Sequence, residues 1–264
     1  DTYFVDDIGD IVVEIVGEGK DTLFSSVSFD LLNSQEIETM VLSSAASISG
    51  TGNAFANIIT MFGIGKATLS GEGGNDTLTG GSNQDILNGG NDNDVLNGGD
   101  EVDILLGADG NDRLNGGGGN DLLAGGLGDD SLVGGVGADT LKGGAGIDYL
   151  EGGSGADVLY GETEMDGYAY RIEVPADLAT LGSDMIHGFQ TGVDRIELAD
   201  LISDFGIDPA DAISGGHVLL TKSGDNTLVQ FDKDGAVGVA GPVTLATVVG
   251  ATVATTDLLL DSSF

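Results

Sequence analysis

The sequence contains no cysteine and no tryptophan, and among its 264 residues only 3 are proline and 8 are basic. Without cysteine there are no disulfides or thiolate metal sites, so a bound metal would need oxygen ligands, with at most His187 and His217 as imidazoles. The 44 acidic residues give a formal net charge of −36. Nucleic acids and anionic membrane surfaces are therefore unfavourable partners. No segment has the length and flanking charges of a transmembrane helix.

Glycine is abundant, with 47 residues, and it is arranged in a repeat. Residues 71–160 form ten consecutive blocks of nine, such as GGGGNDLLA and GGVGADTLK, with Leu at position 8 of every block, from Leu78 to Leu159. Position 6 is always aspartate: Asp76, Asp85, Asp94, Asp103, Asp112, Asp121, Asp130, Asp139, Asp148 and Asp157. An eleventh, degraded block keeps Asp166. Such a fixed register predicts a solenoid rather than a flexible linker.

Each block predicts a glycine-rich turn at positions 1 to 5 and a three-residue strand at positions 7 to 9. If two blocks form one coil, successive leucines point inward from opposite sides, and aspartates two blocks apart stack along one edge. Stacked carboxylates about 4.8 Å apart repel unless cations lie between them. The eleven aspartates form nine such stacked pairs, which predicts roughly nine ions. Carboxylate and carbonyl ligands in flexible geometry favour Ca²⁺ over Mg²⁺.

The blocks resemble the G-G-x-G-x-D-x-U-x nonapeptide of RTX (repeats-in-toxin) proteins. This resemblance implies an all-β, right-handed parallel β-roll, a β-solenoid with two nonapeptides per turn, in which Ca²⁺ is bound by position-6 aspartates and turn carbonyls. The ligands would be the eleven aspartates above, with Asp166 the weakest, and glycines at positions 2 and 4. The implied carbonyl donors are Gly117, Gly119, Gly126, Gly128, Gly135, Gly137, Gly144, Gly146, Gly153 and Gly155.

Three segments are expected. Residues 1–69 resemble degenerate, ion-poor β-roll coils, with Asn53 and Asn57 where acids would stand. Residues 70–166 are the calcium-binding nonapeptide roll, and residues 167–264 form a β-rich C-terminal cap with a secretion signal. Because residues 1–3 fit positions 6 to 8 of a block, the chain is expected to begin within a repeat and to be a fragment of a longer protein.

The cap segment SDMIHGFQTGVDRIELADL resembles the one that follows the repeats in serralysin-type RTX proteins. The resemblance implies that Phe189, Ile196 and Leu198 are core residues, and that Asp184 and Asp194 either add ion ligands or are ordinary turn acids. Helix starts are predicted at Pro175 and at Asp208–Pro209, and a turn at residues 232–235. The tail TTDLLLDSSF resembles the uncleaved signal of type I secretion substrates, although a final strand of the cap would look the same.

No motif indicates catalysis, since there is no H-E-x-x-H or G-x-S-x-G, and His187 and His217 are expected to be cap residues. We therefore expect no enzyme within this chain, although a catalytic domain could lie upstream. The favoured function is a secreted, calcium-binding module that folds outside the cell after type I export and supports the stability of a larger protein. One alternative is a calcium-dependent surface-layer, adhesin or matrix element. Another is an accessory domain of a secreted hydrolase or epimerase.

The outward positions 7 and 9 differ between the two faces of the predicted roll. The even blocks contribute the more apolar set: Ile86, Ile104, Leu106, Leu122, Ala124, Val158 and Tyr160. The face around Ile104 and Leu122 would dock the cap, an upstream domain or a second copy, unless it only reflects the β-propensity of these residues.

Overall fold

The computed structural model describes residues 1–14, 17, 19–169, 182–233 and 242–260. Over these residues the chain is an all-β solenoid that winds alternately between two facing twelve-stranded sheets. No helix in the described part is long and apolar enough to cross a membrane.

Sheet A contains, in spatial order, β1 (Thr2–Val5), β2 (Thr22–Ser25), β4 (Thr39–Leu42), β6 (Ile58–Met61), β8 (Thr77–Gly81), β10 (Val95–Asp100), β12 (Arg113–Gly118), β14 (Ser131–Val136), β16 (Tyr149–Ser154), β18 (Gly167–Ala169), β20 (Arg195–Glu197) and β24 (Leu258–Leu259). Sheet B contains β3 (Phe29–Asp30), β5 (Ile48–Thr51), β7 (Ala67–Gly73), β9 (Ile86–Asn91), β11 (Ile104–Asp109), β13 (Leu122–Leu127), β15 (Thr140–Ala145), β17 (Val158–Thr163), β19 (Asp184–His187), β23 (Val243–Val248), β22 (Asn226–Phe231) and β21 (Val218–Ser223).

The predicted coil of two blocks is confirmed, because the parallel strands stack with 18 residues per coil. Leu105 pairs with Leu123 in sheet B, and Leu114 pairs with Leu132 in sheet A. All ten position-8 leucines are at most 1% exposed and form one continuous column of core between the sheets. At about 2 kcal/mol per buried leucine, this column supplies much of the hydrophobic stabilisation of the roll.

The strand length differs from the prediction. The strands of the regular blocks have six residues, because positions 1 to 3 of the next block continue the strand begun at positions 7 to 9. The turn is correspondingly short and contains positions 4 to 6. Since side chains alternate along a strand, position 1 points inward, like position 8.

The coils before residue 70 keep the same stacking with variable lengths. Tyr3, Leu23, Met40, Ile59 and Leu78 pair in sequence along sheet A, and the spacing between successive partners is not constant. The differences in length are absorbed in the turns, so the inward column of core side chains continues through this part of the chain.

The C-terminal part completes both sheets. β19 and β20 continue the parallel stacks, whereas β21, β22 and β23 pair antiparallel and close sheet B. Phe189, Ile196 and Leu198 are buried as expected. A short helix, α1 (Ala199–Asp204), buries Leu201 and Ile202.

The helix predicted at Asp208–Pro209 is wrong, because residues 209–216 form successive turns with hydrogen bonds such as Asp211 N–H to Asp208 O. Three glycines in and beside this stretch, Gly206, Gly215 and Gly216, disfavour a continued helix. The helix start predicted at Pro175, residues 234 and 235 of the predicted turn, and the last four residues of the tail lie outside the described residues.

Candidate metal sites along the turns

The position-6 aspartates form two columns, one along each edge of the solenoid. Edge 1 is made of the turns that lead from sheet B to sheet A, and edge 2 of the turns that lead back. On edge 1 the column contains Asp76, Asp94, Asp112, Asp130, Asp148 and Asp166, followed in the cap by Asp194. On edge 2 it contains Asp85, Asp103, Asp121, Asp139 and Asp157, followed by Asp184.

Successive aspartates in a column are joined by a repeated hydrogen bond. The backbone N–H of each aspartate donates to Oδ1 of the aspartate one coil later, at 2.7 to 3.1 Å in nine such pairs. The column therefore fixes the orientation of every carboxyl group relative to the neighbouring coil.

The second carboxyl oxygen has no partner. Oδ2 of each of the eleven position-6 aspartates is buried and accepts no hydrogen bond from the protein. Burying an unpaired carboxylate oxygen is costly, and buried polar atoms in native proteins almost always have a partner. Eleven such atoms in two ordered columns are the arrangement expected of oxygen ligands that face a cation.

Burial and the neighbouring negative charges both raise the pKa of these carboxyl groups. Desolvation, together with neighbouring aspartates of the column, raises the pKa of Asp76, Asp103, Asp130, Asp139 and Asp166 to about 7. For Asp94 and Asp148 the same main cause, burial, raises the pKa to about 6. Without a counter-charge, these aspartates thus keep their protons to a higher pH than exposed carboxyl groups do, whereas a bound cation would favour the carboxylate.

Turn carbonyl groups supply a second kind of oxygen. All ten glycines implied as carbonyl donors adopt positive φ, between 96° and 147°, which an L side chain rarely adopts. A Cβ atom on Gly135 would overlap with the carbonyl oxygen of Gly117, one coil earlier. The carbonyl oxygens at positions 2 and 4 therefore face the following coil, where the next aspartate lies.

Glycine at position 1 was missed as part of this site. A Cβ on Gly116 would lie 2.7 Å from the carbonyl oxygen of Gly134 and would overlap with Oδ2 of Asp121. The same conflict with the aspartate of its own block recurs at every position-1 glycine from Gly71 to Gly161. The signal was present in the sequence, since position 1 is glycine in all eleven blocks.

Edge 1 carries an additional ladder at position 5. Oδ1 of Asn75, Asn93 and Asn111 each accepts the backbone N–H of the residue one coil later, and Oδ1 of Asp129 does the same for Ile147. On edge 2 one such bond is found, from Ala138 N–H to Asn120. The two edges are thus stabilised to different degrees before any ion is considered.

The remaining predicted polar residues of the cap are part of its structure. His187 stacks on Tyr160 with 4.9 Å between ring centroids, and Nδ1 of His217 hydrogen-bonds with the carbonyl oxygen of Asp232 at 2.9 Å. Asp184 and Asp194 extend the two columns, as their Oδ1 atoms accept the N–H groups of Asp157 and Asp166.

A parallel β-solenoid with paired columns of buried carboxylates and turn carbonyls defines a class of repeat proteins suited to binding Ca²⁺ between coils. The family model of the RTX calcium-binding nonapeptide repeat (four copies) matches residues 63–96, 97–132 and 133–163. This part of the chain therefore consists of RTX calcium-binding repeats, which are non-catalytic structural modules.

Comparison with solved structures finds similarity to the solution structure of the AlgE6R3 subunit from the Azotobacter vinelandii mannuronan C5-epimerase. The identity is 24%, the match covers 67% of this chain and 82% of that chain, and the TM-score is 0.24. No curated protein sequence matches the chain.

Proposed function

We propose that this chain is a folding module that requires calcium, with ions bound between successive coils along both edges. The observation that carries the proposal is the set of eleven buried Oδ2 atoms without a hydrogen-bond partner. The proposed ligands are the eleven position-6 aspartates and, in the regular coils, the carbonyl oxygens of the ten glycines at positions 2 and 4 named above.

The stacking supports a proposed count of roughly nine ions. Nine pairs of aspartates one coil apart are hydrogen-bonded along the two edges, so nine interfaces between coils can each hold one ion. With about 1 mM Ca²⁺ and a dissociation constant of about 0.1 mM, each independent site would add about 1.4 kcal/mol. Nine such sites together rival the stability of a whole domain.

Because folding would depend on calcium, the chain would fold only after it has left the cell. At submicromolar calcium inside a cell, self-repulsion of the acidic chain would keep it unfolded. Outside, calcium at millimolar concentration would fill the edges and drive folding. We propose that the module supports type I secretion of a larger protein, with residues 1–69 as ion-poor coils, 70–166 as the calcium-binding roll and 167–264 as cap and signal.

The first test is a far-UV circular dichroism titration from a chelated start, with Ca²⁺ and separately with Mg²⁺. We expect a cooperative gain of β signal with Ca²⁺ at about 0.1 to 1 mM, and none with Mg²⁺ at the same concentrations. A chelated protein that is already fully folded, with no change on adding Ca²⁺, would contradict the proposal.

A double variant tests whether calcium-dependent folding requires the aspartate columns. Asp121→Ala combined with Asp139→Ala removes two consecutive ligands on edge 2 and should raise the calcium midpoint of folding, while export remains largely unchanged. Equal midpoints for the variant and the parent would show that this pair binds no ion.

A second candidate function is a surface-layer or matrix element in which calcium-loaded copies associate. The observation that favours it is the outer face of sheet B between Thr68 and His187. Its outward positions 7 and 9 carry no carboxylate, although the chain has 44 acidic residues, and Ile86, Leu106 and Leu122 are exposed there.

A further inference from the structure

Asp194, the last aspartate on edge 1, differs from the eleven position-6 aspartates of the two edges. Its Oδ1 accepts the N–H of Asp166 at 3.2 Å, and its Oδ2 accepts the N–H of Gln190 at 2.7 Å. Both carboxyl oxygens thus have partners within the protein, whereas Oδ2 of Asp166 and of the ten preceding aspartates has none. Asp194 therefore continues the column of edge 1, but unlike the other aspartates of the column it has no carboxyl oxygen without a hydrogen-bond partner.

The carbonyl oxygens that face Asp194 also have a partner. The side-chain Nε2 of Gln190 donates to the carbonyl oxygens of Glu162 and Glu164, at 3.4 Å each. Glu162 and Glu164 are positions 2 and 4 of the last block, and both have positive φ, as the glycines at these positions have in the regular coils. These are the carbonyl groups that would bind an ion between this coil and the cap.

A related arrangement occurs at the other end of the same edge. The side-chain Nδ2 of Asn53, which is 2% exposed, donates to the carbonyl oxygens of Leu32 and Gln35 at 3.0 and 2.7 Å. Both carbonyl groups belong to the preceding turn between sheets B and A. This second amide bridge lies between the coils of Glu38 and Asn57, one interface before the coil of Asp76, so it resembles the bridge of Gln190 but does not adjoin the aspartate column.

An amide NH₂ carries two N–H donors and a partial positive charge, so it can satisfy the same pair of carbonyl oxygens that a cation would bind. It does so without adding the full charge of an ion. Because the two occupants compete for the same lone pairs, an amide in this position excludes a metal ion from that interface.

We propose that Gln190 is an amide stop, a side chain that ends the calcium ladder of edge 1 by occupying the carbonyl pair where the next ion would bind. This inference rests on the proposed calcium-binding function. It places the last ion of edge 1 between the coils of Asp148 and Asp166 and assigns no ion to Asp194.

The test is the calcium stoichiometry of the full chain, measured by equilibrium dialysis at saturating Ca²⁺. Asp194→Asn should leave the number of bound ions unchanged, whereas the matched variant Asp148→Asn, within the column, should lower it by one or two. Gln190→Glu replaces the amide by a carboxylate and should raise the number by one.

A lower stoichiometry in Asp194→Asn, or an unchanged one in a folded Gln190→Glu, would overturn the assignment of the stop. Circular dichroism at saturating Ca²⁺ establishes whether Gln190→Glu is folded, and if it is not, the comparison of Asp194→Asn with Asp148→Asn decides. If the parent binds no calcium, or Asp148→Asn has no effect, the proposed function itself is contradicted.

Discussion

The position-1 glycine is the residue at which the requirements of packing and of the metal site coincide. Gly116 is buried, and its backbone lies against the oxygen of Asp121 that faces the proposed ion. A methyl group at this position would displace either the carboxyl group or the next coil. Overpacking of this kind typically costs about 1–3 kcal/mol.

We therefore expect Gly116→Ala to destabilise the calcium-loaded protein by roughly 1–3 kcal/mol and to raise the calcium midpoint of folding. The matched control is Gly118→Ala in the same strand, because a Cβ there has no neighbour closer than 3.9 Å. Chemical unfolding at saturating Ca²⁺ measures both variants. An equal loss of stability in the two would mean that general glycine replacement, rather than the contact with Asp121, is responsible.

The proposed ligands, aspartates and carbonyl glycines, could be predicted from the sequence because each of them recurs at a fixed position of the repeat. The role of Gly116 could not be derived in the same way, since position 1 was assigned to a turn. Only the alternation within the longer strand β12 brings it inward, against the aspartate of its own block. The role of Gln190 could not be predicted from the sequence either, because its partners Glu162 and Glu164 are 28 and 26 residues away along the chain.

Among the elements, the repeated strands were predictable and those of the cap were not. One block predicts one strand because the inward leucine must pair with the leucine two blocks away. Helix α1 and the turns at residues 209–216 have no such repeat, so local propensity alone suggested the wrong helix. Their positions depend on packing, such as the contact of Phe205 with Phe231 at 5.3 Å between centroids.

The outer face of sheet B supports a prediction about association. If calcium-loaded copies dock through this face, the parent should gain mass in light scattering when Ca²⁺ is added. The double variant Ile104→Lys with Leu122→Lys should remain monomeric, because two lysines replace apolar contacts. Thr79→Lys with Asn97→Lys adds the same charge to the outer face of sheet A and should still associate. A parent that stays monomeric with Ca²⁺ would contradict docking between copies.

At the scale of the whole molecule, the chain carries a net charge of −36, which the proposed calcium ions would offset in part. The buried aspartates make this balance dependent on pH. Burial raises the pKa of several of them from 3.8 to about 6 or 7 in the calcium-free fold. At pH values between 3.8 and about 6 or 7, the folded state therefore binds more protons than the unfolded chain. Their contribution to the stability of the calcium-free fold is therefore present at low pH and is lost as pH rises through about 6 to 7.

The chelated protein should consequently show more β structure at about pH 5 than at about pH 8. The gain of β signal on addition of calcium should be larger at about pH 8 than at about pH 5. Far-UV circular dichroism in the presence of a chelator measures the first effect, and added Ca²⁺ the second. High salt separates the buried columns from general repulsion, because exposed charges are screened within about 3 Å at 1 M salt while buried ones are screened much less. If the pH difference disappears in salt, surface repulsion is its cause. If it persists, the carboxyl groups between the coils control folding, with protons and calcium as alternative counter-charges.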